Sequence, residues 1–218
     1  MALITVLKRS SLAQTFVLAP ERYDPRRELE ADSVETVPLG TIVQTVRKTI
    51  QSADGVGLCL VLDTSDAREG IVIGRKTPTT DIGSTKKCLQ PGDVIISRLR
   101  PYLRQVAYVD NAIPNASDST IVCSTEFYVL RSVDRDSVAF LVPFLLARQV
   151  QEVLSASQEG GHHPRFDEHA LVTLPLPKAL LLRRKEVSDA VIRSVREYRT
   201  SESRIDQLVL DAEGTLTK

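Results

Sequence analysis

The sequence predicts an α+β fold: a mixed-sheet domain over residues 1–179, one long C-terminal helix over 180–212, and a short tail, 213–218. Three observations predict it. Short β-branched and apolar runs recur through the first two thirds of the chain, each bounded by glycine, proline or polar residues. A helical spacing of apolar residues follows at 137–157. From Leu180 to Ala212 there is then neither proline nor glycine.

Taken in order, residues 3–7 (LITVL) and 14–19 (QTFVLA) read as strands. ERYDPRRELEADS, punctuated by Pro25, reads as surface loop with at most one helical turn. VPLGTIVQTV mixes Val, Ile and Thr after a Pro and a Gly, while GLCLVLDTS and GIVIG read as buried strands. RKTPTTDIGSTKK is a long polar loop carrying Arg75, Lys76, Lys86 and Lys87. Pro91-Gly92 then turns the chain into a strand, VIIS, and RQVAYVD is its partner. Between the two lies SRLRPYLR, with Arg98, Arg100 and Arg104 inside seven residues. IVCSTEFYVLRS is a further strand, with Phe127 and Val129 alternating against Tyr128 and Leu130. In 137–157 Leu141, Leu145, Arg148 and Glu152 fall at helical spacing, and Pro143 either kinks that helix or marks its first turn. QEGGHHPRFDEH is a glycine-rich loop, and LVTLPLPKA is extended because each Pro restricts itself and its predecessor.

In the last segment Ser188, Val191, Val195, Tyr198, Glu202, Ile205 and Val209 step by three and four residues, a heptad-like coiled-coil seam, mostly apolar, with Glu202 as the exception. Packing on its own domain and docking another helix both fit this pattern. The length and the narrow stripe favour docking through Val191, Val195, Tyr198, Ile205 and Val209.

Composition narrows the function. Lys plus Arg and Asp plus Glu number 28 each, so the 218-residue chain has a formal net charge of zero. Neutrality excludes a strong global pull on nucleic acid but not a local basic edge, since phosphate affinity depends on where the cations sit. No apolar run reaches the ~18–20 residues of a membrane helix, and the first residues lack the pattern of a signal peptide. The three cysteines, Cys59, Cys88 and Cys123, are widely spaced and odd in number, against a disulfide framework or a CxxC metal site. These features point to a cytoplasmic protein with reduced thiols, no metal and no membrane association.

No nucleotide-cradling glycine motif, nucleophile elbow or HExxH helix occurs, and no active site is nominated. His162-His163 are adjacent, point in different directions and have no cysteine near them in sequence. They read as polar residues of a surface loop that, with Arg165, can meet an anionic partner; hydrolysis through this loop is a third possibility. The cations are more informative. Lys86 and Lys87 suit phosphate. Arg98, Arg100 and Arg104 suit phosphate and guanine, because a guanidinium makes bidentate hydrogen bonds, and Tyr102 can stack or donate. With Arg75, Lys76, His162, His163 and Arg165 they form the candidate DNA-binding set.

At this point the chain resembles a known family. LQPGDVIISRLRPYLRQVAYV is similar to a recurrent strand–turn–strand segment in the target recognition domains of type I restriction-modification specificity subunits. STEFYVLRS, FLLARQVQEVLSASQEGGHHPRF and LVTLPLPKALLLRRKEVSDAVIRSV resemble the segments that follow it, and VPLGTIV resembles the entry to such domains. The resemblance spans roughly residues 37–210. It implies a subunit without catalysis or cofactor of its own. Its recognition domain reads double-stranded DNA, its spacer helix docks an adenine methyltransferase that carries S-adenosylmethionine, and a restriction nuclease is the further expected partner. Full-length members hold two recognition domains and two spacers; one of each here implies a half-subunit that forms a homodimer or pairs with another recognition subunit. The competing expectation is an assembly module of a phage-defence complex that reads no bases.

Overall fold

The computed structural model describes residues 23–29, 35–55 and 57–216. The strands expected at 3–7 and 14–19 lie outside the described residues. In the charged segment after them, Pro25–Arg27 forms a single 3-10 turn capped by Asp24, which accepts from the Arg26 backbone N–H.

The strands are β1 (Thr36–Pro38), β2 (Val43–Thr45), β3 (Thr49–Ile50), β4 (Cys59–Leu62), β5 (Ala67–Arg68), β6 (Ile71–Val72), β7 (Lys86–Cys88), β8 (Val94–Ser97), β9 (Val106–Tyr108), β10 (Thr120–Ser124), β11 (Phe127–Ser132), β12 (Gln158–Glu159), β13 (Arg165–Phe166) and β14 (Pro175–Pro177). The helices are α1 (Leu141–Leu146), α2 (Arg148–Ala156), α3 (Glu168–Val172), α4 (Lys178–Leu182) and α5 (Arg184–Leu216).

Two four-stranded sheets carry the domain. The central one has the order β2-β11-β8-β9 and is antiparallel throughout; the second has the order β3-β7-β10-β4, with β10 and β4 parallel. The two-residue period of a strand sorts the side chains between layers. In β8, Val94 and Ile96 face one core and Ile95 the other; in β11, Tyr128 and Leu130 go with the first, Phe127 and Val129 with the second. The first core is closed by Leu141, Phe144 and Leu145 of α1, Val150 and Leu154 of α2, and Phe166 and Leu171. The second is closed by Leu60 and Leu62 of β4 and Ile121 and Cys123 of β10. The result is three layers: helices, central sheet, second sheet. A strand buried on both faces has no solvent-facing alternate positions, which is why residues 94–96 (VII) and 127–130 (FYVL) are continuous hydrophobic runs. Full burial of each such side chain stabilises by about 1.5–3 kcal/mol.

IVCSTEFYVLRS, expected as one strand, is two, β10 and β11, which belong to different sheets and are joined at Thr125-Glu126. Three further local expectations are corrected. The single helix expected over 137–157 is two, broken at Ala147, whose backbone is extended (φ −59°, ψ 138°). Arg104 Nη1 donates to Leu146 O at 2.9 Å and Gln151 Nε2 to Leu145 O, so the last carbonyls of α1 find partners outside the helix ladder. Pro143 is the third residue of α1, where no backbone donor is needed, so it starts the helix rather than kinking it. Secondly, Lys86 and Lys87 stand on β7 rather than in the polar loop before it. Thirdly, both ends of the segment expected to be extended are helical: Lys178 and Ala179 belong to α4, and Leu171 and Val172 to α3. Asp167 caps this helix by accepting from the Ala170 N–H at 2.8 Å.

The long helix is present: α5 runs for 33 residues, about 50 Å at 1.5 Å per residue. Its first half is fastened to the domain. Arg184 donates to Ser137 O (2.8 Å) and Asp136 O (2.7 Å), pairs with Asp134, and lies over the Phe140 ring. Ser188 Oγ accepts from the Phe140 N–H at 3.2 Å. Arg199 donates to Asp110 Oδ2 (3.0 Å), Val72 O (2.7 Å) and Glu202 Oε2 (3.0 Å). Val195, expected on a docking seam, is instead buried within the chain, and Val191 packs half-buried on the first core. Tyr198 is half-buried. Only the distal seam residues Ile205 and Val209 are exposed, at 60% and 50%, with Leu208 beside them at 61%.

Candidate nucleic-acid interface

The turn between β8 and β9 is built under strain. Pro101–Leu103 forms a 3-10 turn flanked by Arg100 (φ 45°, ψ 65°) and Arg104 (φ 52°, ψ 37°), both in the left-handed region. Neither is a glycine, and Arg100 precedes a proline, which normally drives a residue to extended backbone. Each such residue costs about 1–3 kcal/mol. Pro101 is buried and anchors the turn, leaving Tyr102 (67% exposed) and Leu103 (42%) at its tip.

The three arginines of this turn divide. Arg104 is turned back: besides Leu146 O, it meets Glu69 at 3.4 Å. Arg98 turns to Glu126, donating from Nε to Oε2 at 2.8 Å, while its backbone N–H donates to Glu126 O at 3.0 Å. Arg100 is exposed; its backbone O accepts from the Leu103 N–H at 2.9 Å, and its side chain makes no hydrogen bond or ion pair among the described residues.

The β12–β13 hairpin lies against this turn. Leu99 and Arg165 form an antiparallel bridge, and the Phe166 N–H donates to Arg98 O at 3.2 Å. Arg165 also reaches Glu126, from Nε to Oε2 (2.9 Å) and from Nη2 to Oε1 (2.7 Å), and donates from Nη1 to His163 O at 3.0 Å. His162 and His163 are exposed at the hairpin's tip, which Gly160 turns with φ 104°. One carboxylate thus serves two guanidiniums. Hydrogen bonds from Arg165 and Arg98 hold the Glu126 carboxyl down to about 2, against the opposing effect of partial burial.

Two further groups complete this end of the sheets. Lys87 Nζ donates to Phe127 O at 2.6 Å and lies 5.5 Å from the Tyr128 ring centroid; burial lowers its pKa. Glu168 accepts from Thr45 Oγ1 (2.6 Å) and Arg47 Nη2 (3.0 Å), which hold its carboxyl below the usual range.

The other expected cations are placed elsewhere. Lys86 is buried and curls onto Ser84, donating to its Oγ at 2.7 Å. Arg75 pairs with Glu202 and Asp206 of α5, which docks beside Asp110, at the end of the central sheet opposite Arg98. Lys76 pairs with Asp63 and Asp66, both at 2.7 Å. The structure therefore brings together Lys87, Arg98, Arg100, Tyr102, His162, His163 and Arg165. It takes Arg75, Lys76, Lys86 and Arg104 out of that group: Arg75 turns to the carboxylates of α5, Lys76 to Asp63 and Asp66, Lys86 is buried against Ser84, and Arg104 is turned back onto Leu146 O and Glu69. Sequence reasoning missed Glu126, Arg47 and Glu168. The available signal was Glu126 itself, an acid between two apolar strands in STEFY.

Among the described residues no group of three or more His, Cys, Asp or Glu is placed to hold a metal ion, and no helix is long and apolar enough to cross a membrane. No family model matches the chain, and no curated protein matches it. Solved structures do. A chain from the structural description of complex assembly and conformational transition of the type I R-M system superposes with a TM-score of 0.54 at 24% identity, covering 80% of this chain and 46% of that one. The HsdS subunit from Thermoanaerobacter tengcongensis gives a TM-score of 0.49 at 22% identity, with the same coverages of 80% and 46%. This chain spans about half the length of those it matches. At that identity the likeness is one of fold alone: the chain is built like about half of a chain from a type I R-M system.

Proposed function

We propose that this chain is a DNA-reading specificity subunit of half length, which recognises a short duplex sequence and directs a partner adenine methyltransferase, and with it a restriction nuclease, to that sequence. The observation that carries this is the pairing of the β8–β9 turn with the β12–β13 hairpin. Together they put Arg100, Tyr102, His162 and His163 outward on one edge, backed by Arg98, Arg165 and Lys87. A turn held in strained backbone is a common mark of a binding site. The specificity-subunit-like fold supports the same conclusion.

In this reading Arg100 and Tyr102 meet base edges, and Arg98, Arg165 and the histidine loop position the phosphate backbone. The chain performs no reaction itself; S-adenosylmethionine belongs to the methyltransferase. The exposed distal part of α5 serves pairing, with a second copy or with another recognition subunit. Methylome mapping of the host with and without the gene tests the proposal. Loss of one methylated motif is the expected result; an unchanged methylome overturns the guiding role.

The exposed apolar residues Ile205, Leu208 and Val209 also favour a second reading, an assembly module of a defence complex that docks protein and reads no bases. An Arg100→Ala variant that keeps DNA affinity, beside an Ile205→Asp variant that loses the partner, would decide for it.

A further inference from the structure

We propose that Glu126 is a positioning residue that ties the two reading loops into one unit and tempers their attraction for DNA of any sequence. This inference rests on the DNA-reading function proposed above. Glu126 sits in the β10–β11 connection, on neither loop. Its Oε2 accepts from Arg98 on one loop (2.8 Å) and from Arg165 on the other (2.9 Å), and its Oε1 accepts from Arg165 (2.7 Å). The side chain is 22% exposed, and those of Arg98 and Arg165 are 32% and 38% exposed, so all three lie at the edge itself.

Two consequences follow. Mechanically, the shared carboxylate fixes the spacing of the turn and the hairpin before DNA arrives, which lowers the ordering cost of binding. Electrostatically, one negative charge cancels one of two cations where phosphate would sit. Sequence-independent affinity scales with the number of phosphates neutralised, so Glu126 lowers the affinity for every sequence alike, while the preset spacing of the loops favours only the duplex whose bases they can read.

The test uses the full chain with two variants, Glu126→Gln and Arg165→Gln. Both break the shared pair, but they change the edge charge in opposite directions. Amide exchange in the free protein reads the coupling: the N–H groups of Arg98 and Phe166, which join Glu126 O and Arg98 O, exchange several-fold faster in both variants. Unchanged exchange in Glu126→Gln overturns the positioning role whether or not DNA is bound.

Salt titration against a short mixed-sequence duplex reads the tempering. Glu126→Gln steepens the salt slope by about 1 and Arg165→Gln flattens it by about 1. Duplexes selected from a random pool then measure discrimination, which falls about fivefold or more in Glu126→Gln because the loops lose the spacing their base contacts need. Slopes that move in the same direction in both variants overturn the tempering role. A wild-type chain with no salt-sensitive affinity for any duplex overturns the DNA-reading function and the tempering role with it, while the exchange result still decides the positioning role.

Discussion

Removing Arg199 tests how α5 is held. The side chains of Arg199 and Asp110 are 7% and 8% exposed, and the guanidinium makes bonds of 3.0 Å to Asp110 Oδ2 and 2.7 Å to Val72 O. Truncation to alanine leaves the Asp110 carboxylate buried without its counter-charge. Breaking a buried pair from one side costs about 3–5 kcal/mol, far above the roughly 0–1 kcal/mol of an exposed pair. Asp110 keeps one donor, the Ala112 N–H at 2.8 Å, so the lower end, about 3 kcal/mol, is expected. Adding Asp110→Asn to Arg199→Ala removes the stranded charge and should recover part of the loss, which makes the two substitutions non-additive. Urea unfolding followed by helix circular dichroism measures both effects. A loss below about 1 kcal/mol for Arg199→Ala, or strict additivity, would refute the view that a buried ion pair fastens the helix.

Other outcomes can be checked in the same way. Glu126 has its pKa depressed from 4.5 to about 2. Its pairs therefore stabilise fully above pH 4.5, and the difference in urea midpoint between wild type and Glu126→Gln should shrink as pH falls from 4.5 toward 2; a difference independent of pH would contradict this. Phe127→Ala removes a fully buried ring from the core between the sheets and should cost about 3–5 kcal/mol in urea unfolding. Arg100→Gly relieves the left-handed backbone at φ 45°. It should leave stability equal or slightly higher while weakening binding of a selected duplex by about 1–3 kcal/mol; a loss of stability with binding intact would reverse the assignment.

Much of the fold is legible because its signals are local. The runs that became β4, β8, β10 and β11 show in their apolar, β-branched content. α5 shows in its freedom from Pro and Gly and in its three-and-four stepping. What was not legible depends on partners far along the chain. Nothing near Ala147 in sequence announces that Arg104, 42 residues earlier, will accept the role of partner to Leu146 O and so permit a break. Nothing in RKTPTTDIGSTKK separates Lys86, which is buried, from Arg75, which reaches across to α5. Val195 and Val209 carry the same side chain at equivalent steps of one seam, yet the first is buried and the second is half exposed. In the candidate site, Arg98, Arg165 and the turn between β8 and β9 were found from residue type alone. Glu126 was missed, because an acid becomes a hub only when two separate loops converge on it.

The fastening of α5 makes it a lever. Arg184, bound to Asp134, and Arg199, bound to Asp110, are two fixed points about 22 Å apart along the axis. A further tie runs from Arg75 to Asp206, and about 15 Å of helix continues from there to Leu216. With Arg184 as fulcrum, a shift of the helix at Arg199 arrives roughly doubled at the tip. The two ion pairs therefore set the direction of the distal helix, and the exposed side chains of Ile205 and Val209 take their bearing from Asp110 and Asp134.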